Sequence, residues 1–150
     1  HCQFRHDWAI ESSRIMSPKE IIDKMMEADN MSQWLGVEVL NYEPGSVSCR
    51  MKVREEMVNG FGVTHGGITY CLADSALAFS CNSHGMRAMS IETSISHTKS
   101  VHTDDILTVH TKELSLTRKT GLYEMSVYNQ KLELVAHFKG TCYRSDKPWE

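Results

Sequence analysis

A glycine-rich segment that leads into an apolar stretch carries residue types suited to acyl chemistry. The segment Asn59-Gly-Phe-Gly-Val-Thr-His65-Gly66-Gly67 runs without a break into residues that hold a single carboxylate, Asp74. Glycines at a helix start leave backbone N–H groups free to polarise a bound oxygen. An acid on the same helix can act on the carbon that carries this oxygen. The combination favours chemistry on an acyl group.

The spacing of Gly66 and Asp74 has a second implication. They are eight positions apart in the sequence, so on one continuous helix they stand about 12 Å apart along the axis. One acyl carbon cannot contact both groups. If two such helices meet antiparallel across a two-fold axis, the start of one approaches the middle of the other, and two equivalent composite sites result. The sequence therefore predicts a site that is shared between two copies of the chain.

Two patterns organise the first third of the chain. Ser17-Pro18-Lys19-Glu20 supplies an N-cap, a proline in the first turn and a capping-box acid, which predict a short amphipathic helix that ends near Asn30. Residues 37–43 and 46–53 flank the turn dipeptide Pro44-Gly45, and the second segment alternates apolar and polar side chains. This arrangement predicts a β-hairpin.

The rest of the chain has the pattern of one buried helix followed by strands. After a loop over residues 54–64, apolar or small residues occupy nearly every face of residues 68–81, which predicts a helix buried all round. Strands are expected over residues 89–99, 106–118 and 122–144, the last divided into two near residues 130–131. The β-α-β alternation of a parallel sheet is missing. We therefore expect an α+β fold in which a curved antiparallel sheet wraps around a central helix.

Composition and charge narrow the functional classes. With 150 residues, 41% of them hydrophobic, and no shift in composition, residues 16–150 are expected to form one domain. The net charge of −3 without a long basic block argues against nucleic-acid binding. No apolar run reaches the roughly 20 residues that cross a bilayer, so no membrane partner is expected. The 5 cysteines lack a C-x-x-C pair and favour free thiols, which predicts a cytoplasmic location.

Residues 1–15 differ from the remainder of the chain. They carry charges, histidines and a cysteine without any regular period, and they precede Met16, which predicts an upstream leader or an expression-derived segment. His1, Cys2 and His6 do not match a zinc-ligand spacing, so we expect no metal site.

The glycine-rich segment is one of several that match a known pattern together. The set comprises Asn59-Gly60, His65-Gly66-Gly67, Leu72-Ala73-Asp74-Ser75-Ala76, Cys81-Asn82-Ser83-His84-Gly85, Thr120-Gly121-Leu122-Tyr123-Glu124 and Val135-Ala136-His137-Phe138-Lys139-Gly140. Over roughly residues 31–144 the chain resembles the hotdog-fold acyl-CoA thioesterases of the phenylacetate-degradation (PaaI) type. The resemblance implies a hotdog fold, an active site at a dimer interface, a homotetramer built from two dimers, and hydrolysis of acyl-CoA thioesters.

Roles for individual residues follow from the residue chemistry and from this resemblance. The Gly66 N–H is expected to stabilise the oxyanion, and Asp74 to activate water as a general base or to attack the carbonyl itself. The resemblance implies that Asn59 and His65 shape the pocket and orient the substrate. Asn59-Gly60 is equally a turn signal, and His65 equally a helix cap. Gly67, Ser75 and Ser90 complete the expected set near the thioester, with Ser90 orienting water or serving as an ordinary strand serine.

The coenzyme A end requires cations for its phosphates. Lys99, Arg118 and Lys119 lie at strand ends or turns and are candidates, with solvated surface charge as the alternative. The stretch that often reads Phe-Leu-Arg-Pro in the family is His97-Thr98-Lys99-Ser100 here, which changes the pocket shape. His97 and His102 have the pattern of satisfied surface histidines and are left out of the predicted site. Five methionines line an acyl tunnel or fill the core, namely Met25, Met26, Met31, Met86 and Met89.

The function predicted from these observations is thioester hydrolysis without a metal or redox cofactor. Phenylacetyl-CoA or a ring-hydroxylated relative is the first substrate that the resemblance suggests. One alternative is a hydratase or dehydratase on the same fold, which should pair an Asp and a His on one catalytic loop. A second alternative is a non-catalytic module that binds acyl-CoA and releases no thiol.

Overall fold

The computed structural model describes residues 15–150, so the leader predicted over residues 1–15 lies outside the described part except for Ile15. The domain assignment for residues 16–150 stays a prediction. The helices are α1 (Pro18–Ala28), α2 (Asn30–Leu35) and α3 (Gly66–Asn82), with a 3-10 turn at Glu55–Met57. The strands are β1 (Glu38–Val39), β2 (Cys49–Lys52), β3 (Met86–His97), β4 (Ile106–Leu116), β5 (Thr120–Tyr128) and β6 (Leu134–Pro148).

The first helix begins with the predicted capping box. The Ser17 hydroxyl accepts from the Glu20 backbone N–H at 3.2 Å, and the Glu20 carboxylate accepts from the Ser17 N–H at 3.4 Å. The predicted helix ends at Ala28 because Asp29 caps a second helix, accepting from the Ser32 N–H at 2.9 Å. The predicted helix is therefore present and ends two residues before Asn30, whereas the second helix at Asn30–Leu35 was not predicted.

The strands form one antiparallel sheet in the order β1-β2-β4-β5-β6-β3. The predicted hairpin is present, with Val39 paired to Cys49, but its strands are shorter than expected and residues 40–48 form the connection. Side chains along β2 alternate as predicted: Cys49 and Met51 are buried, whereas Arg50 and Lys52 are exposed. One face of the sheet therefore lies on the core and the other faces away from it.

Helix α3 packs across the buried face of the sheet and forms the centre of the core. The helix predicted over residues 68–81 is confirmed and begins two residues earlier, at Gly66. Leu72, Ala76 and Phe79 are fully buried on it, opposite Val127 and Phe138 of the sheet. Burial of each large apolar side chain contributes roughly 1.5–3 kcal/mol. The α+β architecture of a curved sheet around one helix is confirmed. No helix within residues 15–150 has the length and apolar character needed to cross a membrane.

Among residues 15–150, strand β3 is an edge of the sheet and pairs with β6 alone. Its pairing shifts register between Met86 and Ala88 and again between Ser90 and Glu92. Such bulges re-aim side chains and bend the strand. Met89 and Ile91 beside the second bulge are 69% and 62% exposed, which is unusual for large apolar side chains in a strand. The free edge of the sheet is therefore partly apolar.

Candidate active site

The glycine-rich segment ends in a capped helix start. The His65 ring accepts a hydrogen bond at its Nδ1 from the Gly67 N–H at 2.9 Å, so His65 is the N-cap of α3. This contact is the capping alternative considered for His65. The Gly66 N–H lies in the first turn, where the helix dipole favours negative charge on a bound atom. The segment can therefore polarise a carbonyl oxygen.

Gly66 sits against an imidazole. A Cβ atom at position 66 would lie 3.1 Å from His97 Nε2 and 3.3 Å from His97 Cε1, a spacing tighter than ordinary van der Waals contact. Gly66 and His97 line a surface cavity of about 360 Å³, together with Thr64, Thr69 and Lys99, which we call the Gly66 cavity. The Thr64 hydroxyl is buried and has no hydrogen-bond partner in the described part of the chain. The cavity is lined mostly by polar side chains.

Asp74 lies in the middle of α3 and is partly buried. It borders a cavity of about 550 Å³ that we call the Asp74 cavity, whose walls are mainly apolar. Burial raises the pKa of the Asp74 carboxyl above its ordinary value, and the nearby Asp29 carboxylate adds to this shift. Within residues 15–150 the Asp74 carboxylate accepts no hydrogen bond and pairs with no cation. The structural alternative for Asp74, a buried acid satisfied by its neighbours, therefore finds no support among these residues.

Ser75 does not reach either cavity. Its hydroxyl lies 2.7 Å from the Ser32 hydroxyl, which donates to the Asp29 carboxylate at 2.6 Å. Because the Ser32 hydrogen is committed to Asp29, Ser75 donates to Ser32. This buried chain of hydrogen bonds ties α2 to α3 next to Asp74. The structure thus places Ser75 behind the site rather than in its lining.

Ser90 lies where the sequence placed it. It borders the Asp74 cavity from β3 and precedes the bulge that separates Ser90 from Glu92. Met25 and Met89 line the same cavity, from α1 and β3 respectively. The structure therefore brings a carboxylate and a hydroxyl together at the wall of one apolar cavity.

Asn59 makes the contacts of a turn residue. Its side-chain oxygen accepts from the Phe61 N–H at 2.9 Å and from the Val63 N–H at 3.4 Å. Phe61 at the tip of this turn is 92% exposed. In the described part of one chain, Asn59 lines neither cavity. Its position fixes the loop that leads into His65.

The three candidate cations for coenzyme A are dispersed. Lys99 borders the Gly66 cavity and forms an ion pair with Glu133. Arg118 is in the turn between β4 and β5, 3.8 Å from Asp146, with both side chains about four-fifths exposed. Lys119 is in the same turn, where its carbonyl accepts from the Arg144 N–H. Only Lys99 lies beside a predicted site residue.

The Gly66 and Asp74 cavities have no lining residue in common. Since α3 is continuous from Gly66 to Asn82, the two groups stand about 12 Å apart along its axis. Within one chain, the Gly66 N–H and the Asp74 carboxylate therefore belong to different cavities. Within residues 15–150 there is also no cluster of three or more His, Cys, Asp or Glu side chains that could hold a metal ion.

Sequence reasoning missed two residues that the fold brings to these cavities. His97 contacts Gly66 from the far end of β3, and Trp149 lines the Asp74 cavity from beyond β6. Both contacts join residues more than thirty positions apart, so no local sequence pattern predicts them. The departure from the Phe-Leu-Arg-Pro pattern at His97 was the one available signal.

Residues 61–136, just over half of the chain, match the model of the thioesterase superfamily. The chain therefore belongs to this superfamily, and the predicted enzyme class, a thioester hydrolase, is confirmed. Within the superfamily it is a homologue of PaaI. It is 32% identical to the acyl-coenzyme A thioesterase PaaI of Escherichia coli over 120 residues, which are 80% of this chain and 86% of PaaI.

Solved structures and a human relative agree with this assignment. The structure of E. coli PaaI, a protein of the phenylacetic acid degradation operon, superposes with a TM-score of 0.85 at 29% identity, over 87% of this chain and 95% of PaaI. The human acyl-coenzyme A thioesterase 13 is 34% identical over 66% of this chain and 74% of its own length. The protein smu.793 of Streptococcus mutans, solved bound to acetyl-CoA, has a TM-score of 0.72 at 26% identity and covers 75% of this chain and 91% of its own. The predicted hotdog fold is confirmed.

Proposed function

We propose that the protein hydrolyses acyl-CoA thioesters, with phenylacetyl-CoA or a ring-hydroxylated relative as substrate, to the free acid and coenzyme A. The observation that carries this proposal is Asp74, an acid without a polar partner in residues 15–150, at the wall of a mainly apolar cavity of about 550 Å³. The rings of Tyr143 and Trp149 line the same cavity and suit an aromatic acyl group. The origin of E. coli PaaI in a phenylacetic acid degradation operon supports the same substrate.

The proposed reaction uses water and the chain's own groups, without a cofactor. In one route the Asp74 carboxylate takes a proton from water as the water oxygen attacks the thioester carbon. In the other route the carboxylate attacks first, and water then hydrolyses the resulting anhydride. In both routes the C–S bond breaks and the departing thiolate takes up a proton. The raised pKa of Asp74 makes its carboxylate a stronger base, and Ser90 is placed to orient water.

The proposed site is completed by a second subunit. An oxyanion needs a donor within about 3 Å, whereas Gly66 of the same chain is about 12 Å along the helix from Asp74. Gly66 of the partner subunit would supply the donor, and a two-fold axis would then create two equal sites. The exposed Met89 and Ile91 on the edge strand β3 support self-association at this side of the sheet. The proposed assembly is a homodimer that pairs further into a tetramer.

The coenzyme A moiety would extend from the Gly66 cavity. Lys99 offers a cation there, with Arg118 and Lys119 as further candidates on the exposed β4–β5 turn. The acetyl-CoA bound to smu.793 supports recognition of this ligand class. A cytoplasmic location is proposed as well, supported by four free thiols at Cys49, Cys71, Cys81 and Cys142.

The experiment follows thiol release from phenylacetyl-CoA, hydroxyphenylacetyl-CoA and straight-chain acyl-CoAs, with Asp74→Asn beside the unaltered protein. We expect the highest kcat/KM for the arylacetyl thioesters. Asp74→Asn should lower turnover by about a thousandfold or more while circular dichroism shows an intact fold. Asp23→Asn is the matched control, because Asp23 is an exposed helical aspartate that pairs with Lys19.

Three results would contradict parts of the proposal. Thiol release from none of the thioesters would favour a binding module. Equal turnover of Asp74→Asn would remove Asp74 from the mechanism. A preference for straight-chain over arylacetyl thioesters would refute the proposed substrate alone.

A further inference from the structure

We propose that Trp149 is a partition that sets the length of the acyl group accepted by the Asp74 cavity. The inference rests on the proposed function and names a selectivity residue for it. Trp149 lines the Asp74 cavity on one side. It also lines a second cavity of about 750 Å³, together with Met16, Met86 and Pro148. Trp149 is therefore a residue that the linings of the two cavities share.

Trp149 is held in place by three contacts to one short segment, two of them made by its indole and one by its backbone. Its Nε1–H donates to Asn82 Oδ1 at 2.9 Å, and the Trp149 backbone N–H donates to the Gly85 carbonyl at 2.9 Å. The Arg87 guanidinium lies over the ring, 4.4 Å from its centroid. A cation over an aromatic face and an indole hydrogen bond both fix orientation. The ring is therefore a fixed wall.

The anchor of this wall belongs to the helix that carries the acid. Asn82 ends α3, is 2% exposed, and accepts from the Ala88 N–H at 2.9 Å while donating to the Ala88 carbonyl at 3.0 Å. Asp74 and Asn82 lie eight residues apart on a continuous helix, so about 12 Å of axial rise separates the acid from the anchor. An acyl group whose carbonyl is at Asp74 therefore extends toward a wall at a set distance.

The chemistry of the partition predicts its effect on selectivity. A compact arylacetyl group fits within the Asp74 cavity and gains contact with the indole face. A long straight chain would have to displace the indole, which would break its hydrogen bond to Asn82 and its contact with Arg87. Removal of the ring would join the cavity to its neighbour, and the space beyond is bordered by the apolar side chains of Met16, Met86 and Pro148. The variant should thus accept longer chains.

The test measures kcat/KM for phenylacetyl-CoA and for straight-chain acyl-CoAs of increasing length with Trp149→Phe, Trp149→Leu and Trp149→Ala. The ratio of long-chain to phenylacetyl kcat/KM should rise in that order and reach at least about tenfold in Trp149→Ala. Trp34→Ala is the matched control. Trp34 also has an arginine over its ring, Arg54 at 4.9 Å, but it lines neither cavity. Its ratio should equal that of the unaltered protein.

A folded Trp149→Leu or Trp149→Ala with an unchanged ratio would overturn the inference and leave Trp149 as a clamp on the end of β6. If Trp149→Ala does not fold, the Phe and Leu variants still provide the graded test. Should the unaltered protein release no thiol, the proposed function fails separately. In that case, calorimetry with the same acyl-CoA series would measure the longest acyl chain that binds. If that length is the same in Trp149→Leu as in the unaltered protein, the proposed partition would again be overturned.

Discussion

The Gly66 cavity and the Asp74 cavity border the same helix but differ in the character of their linings. Thr64, His97 and Lys99 make the first polar, whereas the wall of the second is mainly apolar and also includes Asp74 and the cations Arg87 and Lys147. The Gly66 cavity has a backbone donor at a helix start, and the Asp74 cavity has an acid with a raised pKa. The difference is what the proposed shared site requires, since one chain would then supply two unlike halves. Two chains related by symmetry would supply both halves twice.

The largest expected effect comes from mutating one half of the proposed site in one subunit and the other half in a second subunit. Gly66→Ala should lower kcat by about a hundredfold or more, because a Cβ atom 3.1 Å from His97 would crowd the imidazole and hinder close approach of the thioester to the Gly66 N–H. When Gly66→Ala and Asp74→Asn subunits are refolded together, half of the dimers would contain one subunit of each kind and carry one intact composite site. About a quarter of all active sites should therefore recover. Thiol release measures the recovery.

The control for this mixing experiment is each variant refolded alone. Recovery that stays at background in the mixture, with subunit exchange verified by mass spectrometry, would show that donor and acid act within one chain.

A smaller loss is expected at Ser90, which belongs to the Asp74 half only. Ser90→Ala should lower kcat by about ten- to hundredfold by leaving the attacking water poorly oriented, with little change in KM. Ser96→Ala on the same strand serves as control, because Ser96 is exposed and borders neither cavity. Equal kcat values for the two variants would assign Ser90 a merely structural place in β3.

Ionisation of Asp74 should raise the turnover number and lower the stability of the fold. Turnover needs the carboxylate, so kcat should fall by about tenfold per pH unit below the raised pKa of Asp74. Because the folded-state pKa is raised, protonated Asp74 favours the fold, and this stabilisation is lost as pH rises through that pKa. Asp74→Asn should therefore have the higher Tm at neutral pH, with a gap that closes under acid conditions. Thermal melts of Asp74→Asn and of the unaltered protein across pH measure this gap.

The smallest expected effect lies at the rim of the Gly66 half. Lys99→Gln should raise KM for acyl-CoA by about two- to fivefold and leave kcat unchanged, because an exposed cation contributes modestly to phosphate binding. Added salt should reduce the difference between the variant and the unaltered protein. Lys52→Gln is a control, since Lys52 is exposed on β2 and pairs with Asp104 instead. A KM that does not change would exclude Lys99 from the coenzyme A site.

Local patterns predicted the elements that depend on local chemistry. The capping box at Ser17, the alternation along β2 and the uniformly apolar face of α3 all lie where the sequence put them. Helix α2 was not predicted, because six residues are too few to show a helical period. Strand β6 continues to Pro148, four residues past its predicted end, since its last residues pair with the start of β3 rather than following an apolar alternation.

The site was predictable only as far as its residues lie close in sequence. His65, Gly66 and Asp74 share one segment and one helix, so their motif was visible. The approach of His97 to Gly66 and of Trp149 to Asn82 depends on how the edge strand and the end of β6 fold back onto α3. Such contacts are set by tertiary packing, which periodicity does not encode. Ser75, which looked like a neighbour of the acid, turned out to bond behind it to Ser32.

The two irregularities of β3 bear on how many chains can join. A free strand with even spacing is a template that accepts further strands in several registers, which leads to open-ended aggregation. In β3 the shifts beside Met86 and beside Ser90 interrupt that template and leave regular spacing from Glu92 to His97. A short regular stretch can pair with another strand in only a few registers. When the same strand of a second copy pairs with it antiparallel, neither chain keeps this strand edge free. The bulge that aims Ser90 therefore also favours a closed assembly over a growing fibre.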